Sequence, residues 1–146
     1  MQPMEFVKVA GRSIYRPPVI ARMQVDASYR HHIPQMTKCG LILKSADRSL
    51  IYQQTILLGK VKNATEAEWA GLYAAIQFAI EHNELTLEAE NDNLGVISVL
   101  ITRNYPTKHS YANYYYRKIM ELGGDMEWLG LRWIPRDLNV ADSLLR

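Results

Sequence analysis

Residues 63–80 read NATEAEWAGLYAAIQFAI, and the phase of this run decides the fold. Apolar residues recur at helical spacing, so a helix over 65–82 is expected. It is entered through two glutamates set two residues apart. A first-turn carboxylate meets the positive end of the helix dipole, and one glutamate would suffice for that. On a wheel of about 100° per residue, Glu66 aligns with Ala70, Tyr73, Gln77 and Glu81, the polar stripe. Glu68 falls opposite, among Gly71, Leu72, Ala75 and Ala79, on a small apolar face that must pack against something. Two explanations of Glu68 stand open here. Thr65-Glu66-Ala67-Glu68 fits a capping box, with Thr65 as N-cap and Glu68 returning to its amide. Otherwise Glu68 is carried inward because a site needs it there.

Working outward from the helix, "VIARMQVDASY" (19–29), "MTKCGLILKS" (36–45) and "SLIYQQTILLG" (49–59) read as strands. They are rich in β-branched residues, and the last two are joined by the turn-like "SADRS", so an antiparallel meander is expected. After the helix, "ELTLEAE" (84–90) is a short strand, and "NDNLGVISVLI" (91–101) opens a helix behind an Asn/Asp cap. "YANYYYRKIMELGG" (111–124) is a third helix ending at a glycine pair. "DMEWLGLRWIP" (125–135) is a fifth strand, and "NVADSLLR" (139–146) starts a last helix. The fold class is α/β: a five-stranded mixed sheet, three strands of meander plus parallel strands, with helices on both faces. Residues 1–19, which contain Pro17-Pro18, read as an N-terminal extension or arm that could add a strand; residues 20–146 are the domain.

Composition bounds the function. A chain of 146 residues is the size of one domain with a real core. No apolar run reaches the ~18 residues of a membrane span, and the N-terminus lacks a signal-peptide h-region. The single cysteine, Cys39, can form no internal disulfide and reads as a small buried hydrophobe, so a cytoplasmic setting is the default. The net charge of +2 permits a polyanionic partner without demanding one. Basic residues cluster in "GKVKN", "TRNYPTKH" and "YYYRK", where Lys60, Lys62, Arg103, Lys108 and, further on, Arg136 are candidate phosphate contacts. A solvated face explains such clusters equally well.

Four acids stand where α/β folds build sites, at element ends. Asp26 lies in the first strand, Glu68 on the inner helix face, Asp92 where strand passes to helix, and Asp142 at the opening of the last helix. Each alone has a plain explanation: Asp92 as an N-cap, Asp142 as a dipole-complementing acid, Asp26 as a polar residue of an edge strand.

Taken in order, however, these motifs resemble ribonuclease H, from about Met23 to Arg146. "VDAS" is similar to the family's opening D-G-S, and "ATEAEWAGLYAAI" to its A-E-x-x-A-L helix. "ENDNLGVI" matches its T-D-S or S-D-N turn, and "WIPRDLNVADSL" its closing W-x-P-R-x-x-N…A-D-x-L. The style is that of type 1 enzymes, closest to plant-type and retroelement-like relatives. The resemblance implies a ribonuclease H-like fold with Asp26, Glu68, Asp92 and Asp142 as catalytic, metal-binding acids. It implies two Mg²⁺ or Mn²⁺ ions, with Asp26 bridging both, Glu68 and Asp92 completing one site and Asp142 the other. Two hard cations ~3.5–4 Å apart suit an in-line phosphodiester displacement. The implied activity is endonucleolytic hydrolysis of the RNA strand of RNA–DNA hybrids, leaving 5′-phosphate and 3′-hydroxyl ends. Telling RNA from DNA requires reading the 2′-OH across the minor groove, a task that the resemblance assigns to Glu68 and to the backbone of Ala27 and Ser28. Thr65, Asn93 and Arg136 complete the expected nucleic-acid contacts. The implied partner is an RNA–DNA hybrid, with no membrane, no small-molecule cofactor, and a monomer as the default. The alternatives are a non-catalytic nucleic-acid-binding module on the same fold, or a nuclease for another duplex.

Departures from the family pattern are specific. Ala64 and Thr65 stand where an Asn pair is common. Arg136 and Asp137 occupy the loop that often carries a histidine. His31, His32, His82 and His109 do not fill that place and read as ordinary surface or core residues. One residue fewer than usual separates Asn139 from Ala141, and the stretch between Asp92 and Asp142 is too short for the basic protrusion of some bacterial enzymes. Four residues follow Asp142, so its helix is expected to be a single turn.

Overall fold

The computed structural model describes residues 2–107 and 110–145; Lys108 and His109 lie outside the described residues. Six strands, β1 (Val7–Ala10), β2 (Ala21–Ser28), β3 (Lys38–Lys44), β4 (Ile51–Leu57), β5 (Thr86–Asn91) and β6 (Trp128–Trp133), form one sheet in the order β1-β6-β5-β2-β3-β4. The β2-β3-β4 meander is antiparallel, β2, β5 and β6 run parallel, and β1 is antiparallel to β6. The helices are α1 (Ala64–Glu81), α2 (Leu94–Thr102) and α3 (Tyr111–Gly124), and the described chain closes in two 3-10 turns, Arg136–Leu138 and Val140–Leu145.

Six strands rather than five follow from the N-terminal segment, where four residues too short to signal a strand alone find an open edge on β6. Met4 N–H donates to the Trp133 carbonyl at 3.0 Å, and the Phe6 ring lies between the guanidinium groups of Arg22 (4.5 Å) and Arg132 (4.3 Å). Arg16 then clamps the buried Glu88 through Nε (2.9 Å) and Nη2 (2.8 Å). Glu90, also buried, is held by Arg132 and accepts from Gln24 at 3.2 Å. Buried charges need such partners, since an unpaired one costs several kcal/mol.

Strand alternation divides the two sides of the sheet. Ala21, Met23 and Val25 of β2, with Leu41, Leu43, Leu87 and Leu129, form one core with Leu72, Ala75, Ile76 and Ala79 of α1, Ile97 of α2 and Ile119 of α3. The opposite face presents Arg22 and Gln24, and it is covered by the N-terminal segment and the Val140–Leu145 turn; helices thus stand on both sides, but only 3-10 turns on the second. No described helix is long and apolar enough to cross a membrane. Cys39 is fully buried and free, and burial pushes its thiol up to about 12.

The entry to α1 differs from the capping box on Thr65 and Glu68. Asn63 is the N-cap, its Oδ1 accepting from Glu66 N–H at 2.9 Å, while Glu66 Oε1 accepts from Lys62 N–H at 2.6 Å. The reciprocal pair is therefore built two residues earlier, which releases Glu68 from capping. Glu66 is only partly solvated, and Ala70 on its stripe is buried with Val61 and Ala67. A Cβ on Gly71 would lie 3.1 Å from Cys39 Cβ and 3.2 Å from Ala27 Cβ. Glycine lets α1 lie close against the ends of β2 and β3, and Glu68 sits one turn upstream of that contact.

Candidate active site

Asp26 lies near the C-terminal end of β2, on the face turned away from the α1 core, and is 6% exposed. Its Oδ1 accepts from Ala27 N–H at 2.9 Å. Asp92 follows β5 directly. The N-cap of α2 is the next residue, Asn93, whose Oδ1 accepts from Val96 N–H at 3.0 Å, so Asp92 is not spent on capping. Glu68 arrives from α1. Ligand oxygens of Asp26, Glu68 and Asp92 all lie within 4.8 Å of one another. Asp142, on the Val140–Leu145 turn, lines the same cleft and stands close enough to Asp26 to favour its protonated form.

The cleft measures about 450 Å³ and is bounded by these four acids with Ala27, Ser28, Asn93, Arg136 and Leu145. Thr65 is exposed on the first turn of α1 and does not line it. Arg103, a candidate phosphate contact, caps the far end of α2 and donates to the Val9 carbonyl at 3.3 Å.

The electrostatics are those of crowded carboxylates. Burial, then the like charges of Asp26 and Asp92, push Glu68 up to about 8, against opposing contributions from Asn91 and Arg136. Burial, then Asp92 and Asp142, push Asp26 up to about 7. Asp92 is also raised, mainly by burial, with the Asn139 hydrogen bond and Arg136 opposing.

Two residues that supply no acid hold the cluster together. The Val25 carbonyl accepts from Asn91 Nδ2 at 2.9 Å and from Asn139 Nδ2 at 2.8 Å. Those bonds tie β2, β5 and the C-terminal segment at the base of the cleft, and Asn139 Nδ2 also lies 3.4 Å from Asp92 Oδ2. Asn139 stands inside the closing motif "WIPRDLNVADSL", whereas Asn91 carries no signal beyond being a polar residue at a strand end.

The donor set fits a hard divalent cation. It is all carboxylate oxygen, held on separate elements, as Mg²⁺ or Mn²⁺ prefers. Glu68 Oε2 is buried without a hydrogen-bond partner. Such an atom is costly unless something binds it, and a cation among these oxygens would satisfy it.

A mixed sheet with a leading antiparallel meander, parallel central strands and acids converging at their C-terminal ends is the ribonuclease H-like fold. The chain belongs to the reverse transcriptase-like family, whose sequence model matches residues 24–145. Among solved structures, the RNase H1 of the halophilic archaeon Halobacterium salinarum is similar with a TM-score of 0.70 at 24% identity, covering 85% of this chain and 92% of that one. The N-terminal RNase H domain of a Mycobacterium tuberculosis protein, solved as a maltose-binding-protein fusion, gives 0.67 at 22%, covering 86% and 90%. LC11-RNase H1, solved in complex with an RNA/DNA hybrid, gives 0.67 at 18%, covering 85% and 92%. At these identities the likeness is one of fold. No curated protein matches the sequence significantly.

Proposed function

We propose that this domain hydrolyses the RNA strand of RNA–DNA hybrids endonucleolytically, with two Mg²⁺ or Mn²⁺ ions, leaving 5′-phosphate and 3′-hydroxyl ends. The observation that carries this is the convergence of Asp26, Glu68 and Asp92 within 4.8 Å, with Asp142 in the same cleft. Bound there, divalent ions would supply an activated water and charge stabilisation for the leaving oxygen. Asp26 neighbours Glu68, Asp92 and Asp142 alike, and its carboxylate would be the one shared by two ions. Asn91 and Asn139 orient the acids, and Arg136 at the rim meets a phosphate. Ala27 and Ser28 form the wall beside Asp26, where backbone and the Glu68 carboxylate would read a ribose 2′-OH. LC11-RNase H1, which shares this fold, was solved with an RNA/DNA hybrid bound, and that supports a hybrid as the substrate here.

The test is direct. End-labelled RNA–DNA hybrid, duplex RNA and duplex DNA are incubated with Mg²⁺ and with EDTA. Internal cleavage of the hybrid's RNA strand, dependent on metal, is the expected result. Binding without cleavage would make the domain a nucleic-acid-binding module, and cleavage of another duplex would change the substrate.

A further inference from the structure

A second cleft, about 560 Å³, lies directly beside the acidic one. The two share a wall: Ser28 lines the first and Tyr29 the second, and Arg30 Nη2 donates to the carbonyl of Leu145, itself a lining residue of the first, at 3.4 Å. Its character is different. No acid lines it, and Arg30 and Lys38 supply positive charge. The His31 and His32 rings lie with centroids 3.8 Å apart, and Ile33 and Met36 expose about half of their surface on its floor, 51% and 52%. The loop is ordered by its own bonds. Arg30 N–H donates to Thr37 Oγ1 (3.2 Å), Ile33 N–H to the Arg30 carbonyl (3.0 Å) and Thr37 N–H to the Pro34 carbonyl (3.1 Å).

We infer that this cleft is a subsite for an unpaired nucleotide of the substrate, a few positions from the scissile phosphate, with the base against the rings and apolar floor and its phosphates against Arg30 and Lys38. Cations without acids match a phosphodiester chain, and the volume is that of a small-molecule site. The base must be unpaired because a duplex covers both faces of each base with its neighbours; only a single-stranded nucleotide can offer a face to a ring. The preferred substrate is therefore a hybrid ending in a single-stranded extension. This rests on the nuclease reading for the substrate's identity, but binding can be tested apart from it.

The experiment measures affinity of the full chain in EDTA, by fluorescence anisotropy, for a blunt hybrid and for hybrids with RNA or DNA extensions on either end. One extended hybrid should bind at least about fivefold tighter than the blunt one, the gain of stacking a single base. His31→Ala/His32→Ala should erase that gain, and Met36→Glu, placing an acid at an exposed position on the floor, should do the same; blunt-hybrid affinity should stay within about twofold. Equal affinity for blunt and extended hybrids in the unmodified protein overturns the subsite. So does an equal loss for both substrates in the variants, which would show only a general charge effect. A preference for the extension that vanishes in both variants, with no hybrid cleaved in Mg²⁺, upholds the subsite and overturns the nuclease reading instead.

Discussion

Glu66 and Glu68 are two residues apart and do opposite things. Glu66 is structural: its carboxylate satisfies the Lys62 amide while Asn63 satisfies that of Glu66. Glu68 is turned inward, with Oε2 buried and unpartnered beside two other carboxylates. A capping box on Thr65 would have tied Glu68 to that residue's amide, and Asn63 makes that unnecessary. Glu68→Gln is therefore expected to abolish metal-dependent cleavage, and Glu66→Gln, which keeps an acceptor, to leave it nearly intact. Glu66→Ala should instead cost roughly 0.5–1 kcal/mol in denaturant unfolding, as lost helix caps do. Equal loss of cleavage in the two glutamine variants would mean that the inward phase of α1 does not select the working acid.

At the scale of elements, what could be read from sequence was what repeats. The apolar spacing of 63–80 and the glycine pair after 111–122 located α1 and α3, and α3 spans Tyr111–Gly124 as expected. What could not be read depended on partners far along the chain. The strand β1 exists because β6 offers an edge. The segment expected to start a final helix is a six-residue 3-10 turn, packed against β2 and β3. That packing is tight at one point: a Cβ on Gly40 would lie 3.0 Å from Leu144 Cβ and 3.1 Å from the Ala141 carbonyl. Asp142 lies between those two residues. Gly40→Val should therefore lift the turn and carry Asp142 away from Asp26, lowering cleavage at least tenfold. The overpacking cost should be about 1–3 kcal/mol, which leaves the sheet folded by circular dichroism. A fully active, folded Gly40→Val protein would show that the position of Asp142 does not depend on this contact.

For the whole molecule, the four acids are costly to keep charged, first because they are buried and then because they repel one another, and a proton or a cation relieves that cost. Asp26 at about 7 and Glu68 at about 8 both stand well above the usual carboxylate range near 4. A folded-state pKa above the unfolded one means that the native protein binds more protons between those values. Stability then falls as pH rises. The cluster is harmless below pH ~4, where both states are protonated, and its full penalty is present above about 8. In EDTA, the melting temperature should thus decline between pH 5 and 8, opposite to a protein stabilised by paired carboxylates. Asp26→Asn removes the acid at the centre of the cluster, so it should flatten that decline and stabilise the metal-free protein by roughly 1 kcal/mol at pH 8, against the usual trend of point substitutions. Mg²⁺ at ten times its Kd should add about 1.4 kcal/mol to the unmodified protein and little to Asp26→Asn, which lacks one of the proposed ligands. Calorimetry at pH 5 and pH 8, with EDTA or Mg²⁺, reads all of these effects without any substrate. A metal-free melting temperature that rises with pH over this range, together with no Mg²⁺ response, would mean that the carboxylates neither repel one another nor hold a cation, and the proposed activity would fall with them.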